Sequence, residues 1–289
     1  MTAEALRAEA TSVLAPLADL AAPVAPGTDV PWDQLVRVTE HQVRLAASCA
    51  ASLAWDGDFD GWRAAFTRKR VGRGVLERMR RGATLDPSAL AREWVADSAE
   101  HGRDGVSQWL ATLGPGGVAA VVREATTFVV AARAAMNTWP PPDGTTFGDT
   151  YLWQIPGRAV RLEASVDAVI RPRRALLVLA TATADVDAEQ RELAWPALVA
   201  TLRTGQVPST VTRVDITSGD RRTVAVTDDV LDSGLTDAAR AVEAAMAARL
   251  TAPAVPTPSR ACRTCRGNDV CEPGRAWLHN RATTNPYVP

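Results

Sequence analysis

Cysteine placement limits what this chain can fold into more than any other feature. Its only four cysteines are Cys49, Cys262, Cys265 and Cys271. The last three form a Cys-x2-Cys-x5-Cys unit, with Gly267 and Asn268 supplying residues that turn easily. Two cysteines so spaced can place both sulfurs on one metal ion or cluster. Three ligands leave one position open, and Cys49, more than 200 residues upstream, is the only thiol left to close it. Closure would tie an early helix to the C-terminal tail. Four thiolates suit an iron–sulfur cluster or zinc, and spacing alone leaves both open. A structural zinc site more often pairs two Cys-x-x-Cys units, and only one is present here. Taken singly, Cys49 reads as a small apolar residue on a helix face. The tail triplet changes that reading, because a three-cysteine knuckle needs a fourth ligand.

The compartment decides whether these thiols are ligands or disulfides. The N-terminus, MTAEALRAEA, is charged early and lacks the apolar segment of a secretory signal. No run of about 18 apolar residues occurs, so no membrane span is expected. The most apolar stretch, Val118 to Met136, is broken by Arg123, Glu124 and Arg133. A cytoplasmic location follows as the expectation, and there thiols stay reduced. A length of 289 residues can bury a core without disulfides. The net charge of −1 gives no global field toward nucleic acid or membrane. Among 32 Lys+Arg there is one lysine, Lys69, so chemistry requiring lysine has one candidate.

Hydrophobic periodicity divides the chain. Residues 2–21 read as a helix and 22–31 as a Pro-rich linker. A second helix begins at Thr39, where Thr39-x-x-Gln42 matches a capping box. Further helices fit 69–81, 86–98, 104–113 and 117–137, and Pro140, Pro141, Pro142 and Gly144 mark a boundary. After Tyr151 the pattern changes. Val160, Leu162, Ala164 and Val166 alternate as in a half-buried strand, Arg171 to Arg174 turn, and 175–183 read as a fully buried strand. A helix over 187–203 and a strand over 210–216 complete a strand–helix–strand unit, which predicts a parallel crossover. Ser218-Gly219-Asp220 turns the chain into 222–226, and 236–250 is helical from a cap at Thr236. The segments are 1–30 (helix and linker), 31–145 (helical, with Cys49), 146–250 (α/β core) and 251–289 (cysteine tail). The fold class is α/β, with a helical N-terminal half.

With these residues in place, the sequence resembles the RecB-type nucleases of the PD-(D/E)XK superfamily, in their iron–sulfur forms. These are the AddB-like repair subunits and the four-cysteine CRISPR-associated exonucleases. The likeness covers roughly residues 35–280 and is specific in the tail, PTPSRACRTCRGNDVC, with VTEHQVRLAASC carrying the first cysteine. It implies a small mixed-sheet, restriction-endonuclease-like core and a 4Fe–4S cluster on Cys49, Cys262, Cys265 and Cys271, with zinc as the alternative. Ala164-Ser165-Val166-Asp167 echoes the first acidic strand of the family, and Leu179 to Thr183 echoes the second. Gln190 to Leu198 echoes the following helix, and Gly72 to Leu76 an upstream helix start.

The departures from the family are chemical. Asp167 stands at the first acidic position, but Ala180, Ala182 and Leu76 stand where the second acid, the lysine and the histidine belong. Alanine cannot hold Mg²⁺ or stabilise an oxyanion. The resemblance therefore implies a nuclease fold without its hydrolytic site, Asp167 being vestigial and Mg²⁺ required only if activity persists. Asp185 and Asp187 are the displaced acids an active alternative would use with Asp167. Lys69, between Arg68 and Arg70, reads as part of a solvated basic helix start. Arg68, Lys69, Arg70 and Arg73 are the candidate contacts to nucleic acid. DNA, a helicase or another repair or defence protein are the partners this implies; a cluster-based redox sensor is the other reading.

Overall fold

The computed structural model describes residues 1–18, 35–55, 62–82, 86–136, 139–171, 174–180, 186–249 and 254–284. The expected linker at 22–31, the end of the strand expected over 175–183, and Asp185 lie outside them, as does the side chain of Asp187.

Helix α1 (Ala3–Leu17) starts at Thr2, whose hydroxyl accepts the Ala5 N–H. Leu6, Ala10 and Leu14 recur every four residues and are fully buried. Strand β1 (Val36–Thr39) leads directly into α2 (Glu40–Cys49). The Thr39 N–H donates to Gln42 Oε1 at 2.8 Å, as the capping box predicts. A 3-10 helix, Ala50–Trp55, follows Cys49. Helices α3 (Ala64–Arg80), α4 (Pro87–His101), α5 (Gly105–Ala111) and α6 (Pro115–Ala135) complete the helical half. Asp86 and Asp104 cap α4 and α5 by accepting the N–H groups of Ser88 and Ser107. The α3 helix begins five residues earlier than its periodicity predicts, so Lys69 sits inside it and not at its start.

A mixed sheet follows from β2 (Thr146–Gln154), β3 (Val160–Ile170), β4 (Ala175–Ala180), β5 (Thr210–Asp215) and β6 (Arg221–Ala225). Helix α7 (Val186–Thr204) joins β4 to β5, which pair in parallel as the strand–helix–strand order predicts. The chain is thus an α/β protein with a helical N-terminal half and a six-stranded sheet in the order β1-β3-β4-β5-β6, with β2 on β3. Helix α8 (Asp228–Arg249) begins eight residues before the expected cap. Thr236 lies within it and returns its hydroxyl to the Asp232 carbonyl. Gly234 hid this extension from propensity. It serves close packing, since a Cβ there would lie 3.1 Å from both Ala194 O and Leu198 Cβ of α7. Helix α9 (Glu272–Thr284) was not expected from the sequence.

Each sheet face carries its own core. Trp195, Leu198 and Leu202 of α7 join Val242 of α8, Leu6 and Leu14 of α1, and Leu162 and Val166 of β3. On the other face Val75 and Met79 of α3, Phe128 of α6, and Leu177 and Leu179 of β4 cluster. Among the described residues no helix is long and apolar enough to cross a membrane.

The sheet forks at β3. Residues 161–163 pair with both β1 and β2, and 168–169 with both β2 and β4. Strands β1 and β4 therefore lie on one edge of β3, at opposite ends, and residues 164–167 have no strand partner on that edge among the described residues. Side chains close the gap. The Asp167 Oδ2 accepts the Leu179 N–H of β4 at 2.7 Å, and Trp195 Nε1 donates to Glu163 O at 3.0 Å. A carboxylate here replaces the missing backbone acceptor, which a buried N–H requires.

Candidate functional site

The four cysteines come together. Cys49 at the C-terminus of α2 and Cys262, Cys265 and Cys271 of the tail line a single cavity of about 80 Å³. One water needs roughly 10–15 Å³ on the same measure, so the space holds several atoms. Leu45, Trp55 and Pro258 make its remaining walls largely apolar. None of the cysteines is disulfide-bonded.

Backbone donors meet two of these thiols. The backbone N–H groups of Thr257 and Ser259 point at Cys49 Sγ and Cys262 Sγ, each at 3.4 Å. Such donors favour an anionic sulfur and tune a bound centre. Ser259 caps a second 3-10 helix, Arg260–Arg263, in a capping box where Cys262 sulfur takes the place usually held by Glu or Gln. Two glycines let the tail approach. A Cβ on Gly274 would lie 3.3 Å from Cys271 Sγ and 3.5 Å from Cys262 Sγ. One on Gly267 would enter the Trp55 ring, at 2.3 Å.

The donor set also bears on what can be held. Four thiolates around one zinc stand about 2.3 Å from the metal, hence about 3.8 Å from one another. Among the described residues no three Cys, His, Asp or Glu side chains converge tightly enough to hold a single ion.

The second assembly lies at the fork. Asp167 is 1% exposed and accepts three donors. Arg73 Nη2 reaches Oδ1 at 2.9 Å, Lys69 Nζ reaches Oδ2 at 3.1 Å, and the Leu179 N–H shares Oδ2. Lys69 and Arg73 stand four apart on α3 and so share one face. The expectation of a solvated basic helix start is thus corrected for Lys69. Its charge is spent on a buried carboxylate 98 residues away in sequence. Arg68 and Arg70 are also ion-paired, with Glu124 and Asp104. A signal for the Lys69 contact existed in the sequence: the chain's one lysine stands one turn before Arg73.

Gly148 makes the Arg73 contact possible. The β2–β3 register sets it opposite Asp167, and its φ of 72° is left-handed. A Cβ there would lie 2.3 Å from Arg73 Cδ. Gly148→Ala should therefore cost about 2 kcal/mol through strain and displacement of Arg73. Thermal melts should show a fall of about 3–4 °C. The loss should shrink in an Arg73→Ala background, as a double-mutant cycle would report.

Around this core the charges alternate. Arg44 reaches Glu40 at 3.8 Å and Glu192 at 3.3 Å, and Arg213 reaches Glu192 at 2.6 Å. Burial pushes the Glu40 carboxyl above its ordinary range; Arg44 and Lys69 oppose that, and Glu192 and Asp167 add to it. Burial alone would raise Glu163 as well, but hydrogen bonds from Arg37 and Arg161 outweigh it and hold this carboxyl low.

Fold and site together define an α/β protein with a forked mixed sheet and a four-thiol cavity between α2 and the tail. No protein-family model matches the chain, and no curated protein matches it in sequence. Among solved structures, a protein from Eubacterium rectale provisionally designated an exonuclease aligns over 85% of this chain and 96% of its own, with 13% identity and a TM-score of 0.47. The protein designated SSO0001 aligns over 75% of this chain and 99% of its own, with 13% identity and a TM-score of 0.35. Both likenesses are remote, and the chemistry of the two sites is drawn from this chain's own residues.

Proposed function

We propose that this chain is a 4Fe–4S protein on a RecB-type nuclease-like fold, acting by binding DNA or a repair or defence protein and not by cleaving phosphodiesters. The observation that carries this reading is the convergence of all four cysteines on one cavity larger than a single ion needs. The cluster would be held by Cys49, Cys262, Cys265 and Cys271, and it would supply a rigid cross-link between α2 and the tail. The binding role is supported by what the fork lacks. Ala180 offers no ligand at the end of β4, and the two acids of β3 are both engaged, Asp167 by Lys69, Arg73 and the Leu179 N–H, and Glu163 by Arg37 and Arg161. Arg68 and Arg70 hold acids that are themselves partly exposed, so they can exchange these partners for phosphates. Lys69 and Arg73 serve the buried carboxylate.

Protein purified without oxygen tests the reading. It should be brown, with broad absorbance near ~400 nm and about four irons and four sulfides per chain. A colourless protein with about one zinc per chain would replace the cluster with a structural ion. Mg²⁺-dependent cleavage of DNA that Asp167→Asn abolished would overturn the non-cleaving half.

A further inference from the structure

Strand β6 ends the sheet. It pairs with β5 and, among the described residues, with no other strand. The bonds of this pair fix which backbone groups face outward. The Asp215 N–H donates to Asp220 O at 2.9 Å, and the Val226 N–H to Ser209 O at 3.2 Å. Both contacts continue the β5–β6 register, so Arg222 and Val224, lying between them in steps of two, turn their N–H and C=O groups to β5. Arg221, Thr223 and Ala225 turn theirs to the open edge, and all three residues are exposed. A cavity of about 290 Å³ opens beside this edge, on the sheet face where α6 ends at Ala135. Met136, Pro141, Ile170 and Leu177 give it apolar walls, and Thr212, Thr223 and Arg221 line its strand side. On the scale where one water needs roughly 10–15 Å³, this space takes a large side chain.

We propose that the β6 edge is a docking site for an extended segment of a partner protein, which adds a strand to the sheet, places an apolar side chain in the cavity and sets a carboxylate beside Arg221. Three features carry it. Arg221 and Thr223, whose backbone groups face outward, are also the β6 residues whose side chains line the cavity, so one extended chain meets both. Backbone bonds along the edge would supply affinity, and the cavity would select the side chain. Strand β6 contains two arginines and no acid. Arg222 has its carboxylate in Glu189, at 2.7 Å on the other sheet face, whereas Arg221 stands at the cavity, where an incoming acid complements it. A second copy of β6 does not fit. Its Arg221, Thr223 and Ala225 would bring no apolar side chain large enough for the cavity and would add only positive charge, which discourages pairing of like edges. The surface uses neither the thiol cavity nor the fork, and it would bind whether or not the chain holds a cluster.

Selection of a displayed library of random short peptides on the full chain tests this. The peptides that bind should share an apolar residue flanked by an acid. Their binding should slow amide exchange at Thr223 and Ala225 at least about tenfold, and leave Arg222 and Val224, already bonded to β5, unchanged. Thr223→Pro removes one outward N–H, a change that an open edge tolerates, and should weaken the peptides at least about tenfold. Thr210→Trp fills the cavity from β5 and should weaken them as much; it decides alone if the proline variant does not fold. A selection that yields no binding peptide overturns the proposal, and so do peptides whose affinity survives Thr210→Trp. A concentration-dependent dimer of the native chain that Thr223→Pro abolishes overturns it as well, by giving the edge to a second copy.

Discussion

Replacing Cys49 or Cys265 with serine should release the C-terminal tail while the sheet and its helices stay folded. The reason is how little else holds the tail. Across the described residues from 254 to 280, only Cys262, Gly267 and Gly274 are buried. Two of these have no side chain, and the third is a proposed ligand. Val255 and Val270, apolar residues that could have anchored the segment, are 85% and 68% exposed. Ordering a segment costs backbone entropy at every residue, which three buried residues do little to offset. A centre bound by four thiolates would add the largest single favourable contribution open to the segment. Each serine variant should therefore lose iron, and backbone amides over 254–280 should lose hydrogen-exchange protection by at least about a hundredfold. Limited proteolysis should cut near the Pro-rich arm before Cys262. Solubility should fall too, because release uncovers Leu45 and Trp55. A tail that stayed protected in both variants would show that it is held by packing, and the cross-link would lose its purpose.

How much of this was legible in the sequence depends on how local the signal is. Helix α2 and its cap were readable because Thr39 and Gln42 lie three apart and bond each other. The parallel β4–α7–β5 unit was readable because a fully apolar strand, a helix and a second strand recur in an order with one favoured topology. Strand β1 was not. Four residues, Val-Arg-Val-Thr, are too short to show a period, and their place in the sheet is fixed by β3, more than 100 residues later. Strand β2 was not read either; Gly148 in its first half weakens strand propensity and is there for Arg73. That the tail cysteines and Cys49 share one place follows from reading their spacing as a set. The N–H groups of Thr257 and Ser259 aimed at two of the sulfurs depend on backbone direction and could not be foreseen. The Lys69–Asp167 contact is the sharpest failure of local reading: a basic run that looks solvated sends one member into a buried site. Burial of its partner, a tertiary fact, decides the matter.

Asp167→Ala should destabilise the body of the protein, independently of the cluster. The substitution removes a carboxylate that is 1% exposed and leaves three donors behind. Lys69 and Arg73 are partly exposed and can turn toward water, which limits the loss from their charges. The Leu179 N–H cannot turn. It belongs to a residue in the core between β4 and the helical half, and it faces the gap in the ladder where β3 offers no carbonyl. An orphaned buried donor costs roughly 1–3 kcal/mol, and breaking a buried ion pair by removing one partner costs roughly 3–5 kcal/mol. With the cations partly wet, a total of about 3 kcal/mol is the expectation. In a chain of this size that lowers the melting temperature by roughly 4–6 °C. Asp167→Asn separates the two contributions. Its amide oxygen can still accept the Leu179 N–H, so it should recover about half of the loss, the remainder being the charge. Iron content should be unchanged in both variants, since the cysteine cavity uses none of these residues. A melting temperature within about 1 °C of native for Asp167→Ala would mean that the fork is held by the flanking cores alone, and that Asp167 is the leftover the sequence made it seem.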